Sequence, residues 1–167
     1  MNAAAKAPEI KDGTLRMLAW ARLWSPLSEE ATLSDAWEAL ALPGSYEASG
    51  MRFWNTFHAG VPQPPVPLQL HVLAGTDGST LREALLRVAE YLEVGTSGQR
   101  LPPDHLALAC ELYAIAIERE EPVLIDGLMQ HCIAPWAEAA RVAIPRDDAG
   151  PAAVLEAFLH DVRIAAG

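Results

Sequence analysis

Lysine is nearly missing from this chain: Lys6 and Lys11 are the only two, and Lys and Arg together number 12 against 22 Asp and Glu. A formal charge of −10 leaves no basic stripe to follow a phosphate backbone, which argues against a nucleic-acid partner. Cysteine is equally scarce. Cys110 and Cys132 stand alone, outside any C-x-x-C and within apolar helical patterns, so buried free thiols are expected rather than a disulfide or a thiolate metal site. No uncharged apolar run reaches the roughly 20 residues a membrane-spanning helix needs, and no charged-then-apolar leader opens the chain. The expectation is a cytoplasmic protein with no stable membrane insertion. Also missing are the G-x-S-x-G elbow, the Gly-rich phosphate loop with its lysine, and the H-E-x-x-H zinc helix. The chain therefore reads as no enzyme, with no catalytic residues, no metal and no cofactor of its own.

What is present points to helices. With 51% hydrophobic and 20% charged residues, 167 residues suffice for one domain with an ordinary core. Residues 1–12 are Ala-rich and read as a flexible N-terminus, leaving 13–167 as a single all-α domain, a compact bundle of six or seven helices. Thr14 is expected to cap a first helix that Ser25-Pro26 stops; Trp37 and Leu40 belong to a second, and Ser45 opens a third with Gly50 as its weak point. Val61-Pro62-Gln63-Pro64-Pro65-Val66-Pro67 excludes helix and predicts an extended strap, continued by 68–74 without a sheet. Thr80-x-x-Glu83 has the spacing of a capping box, and Gly95 is the expected stop. Pro135 either kinks a helix or starts one, and a last helix begins near Pro151.

The stretch Leu101-Pro102-Pro103-Asp104-His105 places an acid and an imidazole where a nearly wholly apolar helix begins. Leu106, Cys110, Tyr113 and Ile117 form one stripe and Leu108, Leu112 and Ile115 a second, leaving Glu111 and Glu118 for water. Pro102 suits the first helical turn, with Asp104 near the positive end of the dipole. Asp104 then either caps backbone donors while His105 packs under a loop, or the pair receives a partner. Acid is concentrated on this side of the chain: residues 1–100 carry 11 acids and 8 bases, residues 101–167 carry 11 and 4. Such a field suits a basic peptide as well as it suits solubility.

Downstream, Leu128-Met129-Gln130-His131-Cys132-Ile133-Ala134-Pro135-Trp136 supplies a His-x-x-x-Pro-Trp pattern. In order and spacing, the P-x-D-H helix start, the apolar helix and this second element resemble the TorD/DmsD/NarJ chaperones of bacterial molybdoenzymes. The resemblance is good over 101–144, fair over 61–100 and loose over 1–60. Leu101 stands where the family often has Glu, and Gln69-Leu70-His71-Val72 departs from the usual sequence before the middle helix. The middle segment is most similar to the subgroup serving dimethyl sulfide, ethylbenzene, selenate or chlorate enzymes.

The resemblance implies an all-α, TorD-like fold and a cytoplasmic chaperone. Such a protein binds the N-terminal twin-arginine signal peptide of an apo-molybdoenzyme catalytic subunit and assists cofactor insertion before export or assembly. It maps peptide recognition onto Pro102, Asp104 and His105, and relatives that exchange domains imply a monomer or a domain-swapped dimer. Trp136 joins the candidate peptide-binding residues because a tryptophan's large face and single donor suit a groove, although a core anchor is the alternative. Two other readings remain open: a helical adaptor or regulator with no signal-peptide client, and a NarJ-like chaperone of a reductase that is not exported. Asp104 and His105 as acid and base of a small hydrolase or lyase form a third, without an accompanying nucleophile motif.

Overall fold

An all-helical core forms because the apolar stripes of three helices meet. The computed structural model describes residues 9–167. The first helix, α1 (Asp12–Trp24), buries Met17, Trp20, Leu23 and Trp24 along one side. It begins two residues before Thr14, whose hydroxyl donates to Glu118 Oε2 at 2.8 Å instead of capping its own helix. Lys11 falls in the segment read as flexible, yet it is held. Its ammonium donates to the carbonyls of Ile117 and Glu118 at 3.2 and 3.3 Å, placing a cation on the negative end of the apolar helix α6 (Leu106–Glu118). Helices α1 and α6 therefore run antiparallel.

Nine of the thirteen residues of α6 are buried, which its two apolar stripes require. Across α1 and α6 lies α9 (Ala149–Ala165), joined to both by buried polar ties. Asp161 accepts from Trp20 Nε1 at 2.9 Å and from Arg16 Nη2 at 2.8 Å, and the Tyr113 hydroxyl donates to the Val162 carbonyl at 3.1 Å. Trp24 is the aromatic hub, with Trp20, Phe53, Phe57, Trp136 and Phe158 at centroid distances of 5.0–5.9 Å.

Helices α2 (Glu30–Ala39) and α3 (Tyr46–Phe57) close one end, and Ser45 caps α3 as its sequence predicts by accepting from Ala48 N at 3.3 Å. Gly50 is more than a weak point. A Cβ there would lie 2.8 Å from Tyr46 Cζ, so the missing side chain lets that ring lie against the helix. The proline strap is extended, but 70–74 is not: it forms a single turn, α4 (Leu70–Ala74), ended by Gly75 at φ 65°. The strap's one sheet-like contact is the Gln69–His105 bridge, and no strand exists among the described residues.

Helix α5 (Gly78–Tyr91) starts earlier than the Thr80-x-x-Glu83 spacing suggests. Asp77 caps it, accepting from the amides of Ser79 and Thr80, so the local Asx geometry supersedes the box. Its stop is Glu93 at φ 55°, not Gly95, because the backbone reverses before the glycine is reached. Between α7 (Pro122–Leu128) and α8 (Ala134–Ala143) the chain widens into a π turn over Met129–Ile133. Pro135 follows after Ala134; the wide turn carries the chain past a residue that has no N–H to donate, without breaking the rod.

Candidate functional site

The P-x-D-H stretch is folded inward. Asp104 is 0% exposed and His105 7%. Helix α6 begins only at Leu106, and its cap is the imidazole of His105, whose Nδ1 accepts from Ala107 N at 3.1 Å. The expected division of labour is thus reversed, because Asp104 lies one residue outside the cap and turns toward its own chain. Its Oδ1 accepts from Arg82 Nε of α5 at 2.7 Å and its Oδ2 from Nδ1 of His71 in α4. Burial pushes the Asp104 carboxyl up, but the bonds from Arg82 and His71 outweigh it and hold the group below its ordinary value.

His105 is neutral at ordinary pH, since burial lowers its pKa to about 4 against the opposing pull of Asp104. His58 behaves alike, pushed down to about 4 by burial and by His105, and its Nε2 is buried without a hydrogen-bond partner. Asp104 and His105 share no hydrogen bond; the imidazole on Asp104 is that of His71. Among the described residues no hydroxyl or thiol hydrogen-bonds to either imidazole, and no group of three His, Cys, Asp or Glu side chains is placed to hold a metal ion.

Both halves of the motif close on the same strap. Leu106 N donates to the Leu68 carbonyl at 2.8 Å, Leu70 N to the Asp104 carbonyl at 2.9 Å, and Trp136 Nε1 to the Pro67 carbonyl at 2.9 Å. Trp136 is 0% exposed, so of its two readings the core anchor is the one observed. Pro102 lies in the partly exposed loop before α6, where its carbonyl accepts from His105 N at 3.0 Å. As placed, none of Asp104, His105 and Trp136 offers a free surface to a visitor. The reading in which the Asp104–His105 pair receives a partner meets a carboxylate that Arg82 of the same chain already occupies.

The surface that could receive a partner lies next to them. A cleft of about 210 Å³ runs between α5 and α6, walled by Leu85, Ala89, Leu101, Pro103, Leu108 and Leu112. Glu111 also lines it, half-buried, accepting no hydrogen bond and paired with no cation among the described residues; burial raises its pKa. A second apolar cleft of about 190 Å³ lies on the other flank of α5, against Leu124, Leu128, His131 and Cys132. Leu85 lines both. A larger cleft between α3 and α9 has its charges matched internally by the Arg52–Asp148 pair.

Sequence reasoning missed Arg82, His71 and Glu111. Arg82 and His71 give no local signal, because they meet Asp104 only through tertiary packing. Glu111 was assigned to water, although a lone acid on an otherwise apolar helix is itself a signal. Comparison of the chain with protein-family models, with curated proteins and with solved structures returned no match.

Proposed function

We propose that this protein is a peptide-binding maturation chaperone of the TorD type. Its client would be the twin-arginine leader of an apo-molybdoenzyme, held in the apolar cleft between α5 and α6. The observation that carries this reading is Glu111: a half-buried carboxylate with no cation beside it among the described residues, set among Leu85, Leu101, Leu108 and Leu112. An unpaired acid in an apolar groove is costly when empty and favours a ligand that brings both a cation and apolar side chains. A chain of net charge −10 steers such a ligand inward. The TorD-type reading rests on the order of the P-x-D-H and Pro-Trp elements, whose part is to brace the strap and the loop that gives Leu101 and Pro103 to the cleft.

The Asp104–His71 pair offers little to the hydrolase or lyase reading, because Arg82 already neutralises it and no nucleophile hydrogen-bonds to the imidazole. The test is calorimetric titration of the full chain with a synthetic peptide bearing paired arginines followed by an apolar run. Micromolar or tighter binding, weakened by Glu111→Gln and by salt, supports the proposal. Binding of an arginine-free scrambled peptide with equal affinity refutes it. Capture from native extract, with the bound protein identified by its N-terminal sequence, separates an exported client from a NarJ-like one and from an adaptor with no enzyme client.

A further inference from the structure

Helix α5 is weakly embedded for a helix of fourteen residues. Within its bounds only Leu85 and Ala89 are buried, against nine residues in α6 and seven each in α1 and α9. Clefts run along both of its flanks and share Leu85 as a wall. Its polar ties are few: Arg82 Nε on Asp104 at 2.7 Å, and Tyr91 hydroxyl to Glu121 at 3.2 Å. The order of its residues matters as well. Arg82 comes first, followed at helical spacing by Leu85, Leu86, Val88, Ala89 and Leu92, with Glu83, Arg87 and Glu90 between them: a guanidinium succeeded by an apolar face.

From this we infer that α5 is an intramolecular stand-in for the client peptide, latched by Arg82 on Asp104, and that the client binds by displacing it. The inference rests on the peptide-binding reading above and names what that peptide replaces. Asp104 is fully buried, and its carboxylate cannot be left without a cation. A ligand that evicts Arg82 and brings a guanidinium of its own keeps that carboxylate in a charge-assisted pair. Once α5 swings out on the segments 75–77 and 93–101, the two flanking clefts become one apolar trough over α6, α7 and the π turn. An arginine at one end of a peptide then meets Asp104, and the apolar residues that follow meet Leu108, Leu112, Leu124 and Leu128. Selectivity follows from competition, because a peptide lacking the arginine leaves Asp104 with His71 alone and competes less well with Arg82.

Cys132 is a built-in reporter, being 7% exposed and lining the cleft beneath α5, while Cys110 at 0% lies deeper as an internal control. Two variants loosen the latch from different sides, Arg82→Ala at the charge and Leu85→Ala at the apolar contact. In both, iodoacetamide labelling of Cys132 should accelerate by about tenfold with Cys110 unreactive, and affinity for an arginine-then-leucine peptide should rise by a similar factor as the closed population falls. A second probe is the chain's own segment 78–94 as a free peptide, expected to bind Arg82→Ala in preference to the parent. Unchanged labelling, or weaker peptide binding in Leu85→Ala, overturns the displacement model, the latter showing that α5 is a wall of the site. If segment 78–94 binds Arg82→Ala while the arginine-leucine peptide binds nothing, the latch stands and the client reading falls. If the arginine-leucine peptide binds all three proteins alike, the client reading stands and the latch falls.

Discussion

Replacing Asp104 tests whether the P-x-D-H acid is an architectural element, and the structure sets how large the effect must be. The side chain is 0% exposed and accepts from both Arg82 and His71, while the side chain of Arg82 is 40% exposed. Asp104→Ala removes two charge-assisted bonds but leaves Arg82 free to turn toward water, so the loss falls near the low end for a broken buried pair, about 3 kcal/mol. Asp104→Asn should cost less, about 2 kcal/mol, because its amide oxygen still accepts from Arg82 and its NH2 donates to the other tautomer of His71. At this length each kcal/mol lowers Tm by roughly 2–4 °C, which predicts a fall of about 6–12 °C for the alanine variant. Helix content at room temperature should be unchanged, since a domain of ordinary stability survives a loss of about 3 kcal/mol. Urea unfolding followed by far-ultraviolet circular dichroism measures both quantities. Arg82→Ala supplies the sharper comparison. It leaves the buried carboxylate with His71 alone, so adding Asp104→Ala to it should cost less than Asp104→Ala in the parent, giving a coupling of about 1–3 kcal/mol. Additive effects, or a Tm shift under about 2 °C in Asp104→Ala, would refute the claim that this carboxylate is bound by its own chain.

Acid should unfold the protein in a window set by two histidines. Each is neutral when folded, with its pKa lowered from 6.5 to about 4, so the unfolded chain binds protons first as pH falls. Their contribution is complete above pH 6.5, shrinks toward pH 4, and amounts to on the order of 3 kcal/mol for each; His58→Gln with His105→Asn should flatten the pH dependence of the urea midpoint. Trp136→Phe leaves the Pro67 carbonyl without its donor and should destabilise by about 2–4 kcal/mol, while the folded variant keeps its peptide affinity; a selective loss of affinity would return Trp136 to the binding surface. Gly50→Ala, which in an open helix would stabilise by about 1 kcal/mol, should lower Tm instead, because the new methyl meets the Tyr46 ring; a rise would mean that the ring moves aside freely.

The fold class was legible because helical periodicity survives translation into packing with little loss. Leu155, Phe158, Leu159 and Val162 share a stripe in the sequence and a buried face in α9. Boundaries were legible where one local bond decides them, as at Ser45. They were misplaced where two local motifs compete, as when Asp77 displaces the Thr80 box. The site was legible only in part, since position and environment are different kinds of information. The sequence places Asp104 beside the start of an apolar helix, but its partners lie 33 and 22 residues upstream and enter through the folds of α4 and α5. No local pattern announces such a meeting. The burial of Asp104 therefore had to come from the structure, as did the unpaired state of Glu111.

The two halves of the motif are best understood together through the strap. Residues 66–70 are bound at four successive points: Val66 N to Thr56, the Pro67 carbonyl by Trp136, the Leu68 carbonyl by Leu106, and Leu70 N to Asp104. A proline-rich segment has few amides with which to hold itself, so its carbonyls must be met from outside. Trp136 and the first turn of α6 do this, and the π turn before Pro135 brings the indole to the strap. A chain that lays such a strap over its core needs an indole and a helix start of this kind whether or not it binds anything. On the proposed reading recognition is carried by Glu111 and the apolar walls of the cleft, with Asp104 joining them only where α5 is displaced, while the loop that carries the motif contributes Leu101 and Pro103 to the cleft's edge. Preorganisation of that border matters to affinity, because a groove whose edges must order on binding loses part of its contact energy to that ordering. On this reading a substitution in Asp104 weakens a client together with stability, one in Trp136 lowers stability alone, and one in Glu111 weakens the client without lowering stability. Stability and affinity measured on the same three variants tell the two routes apart.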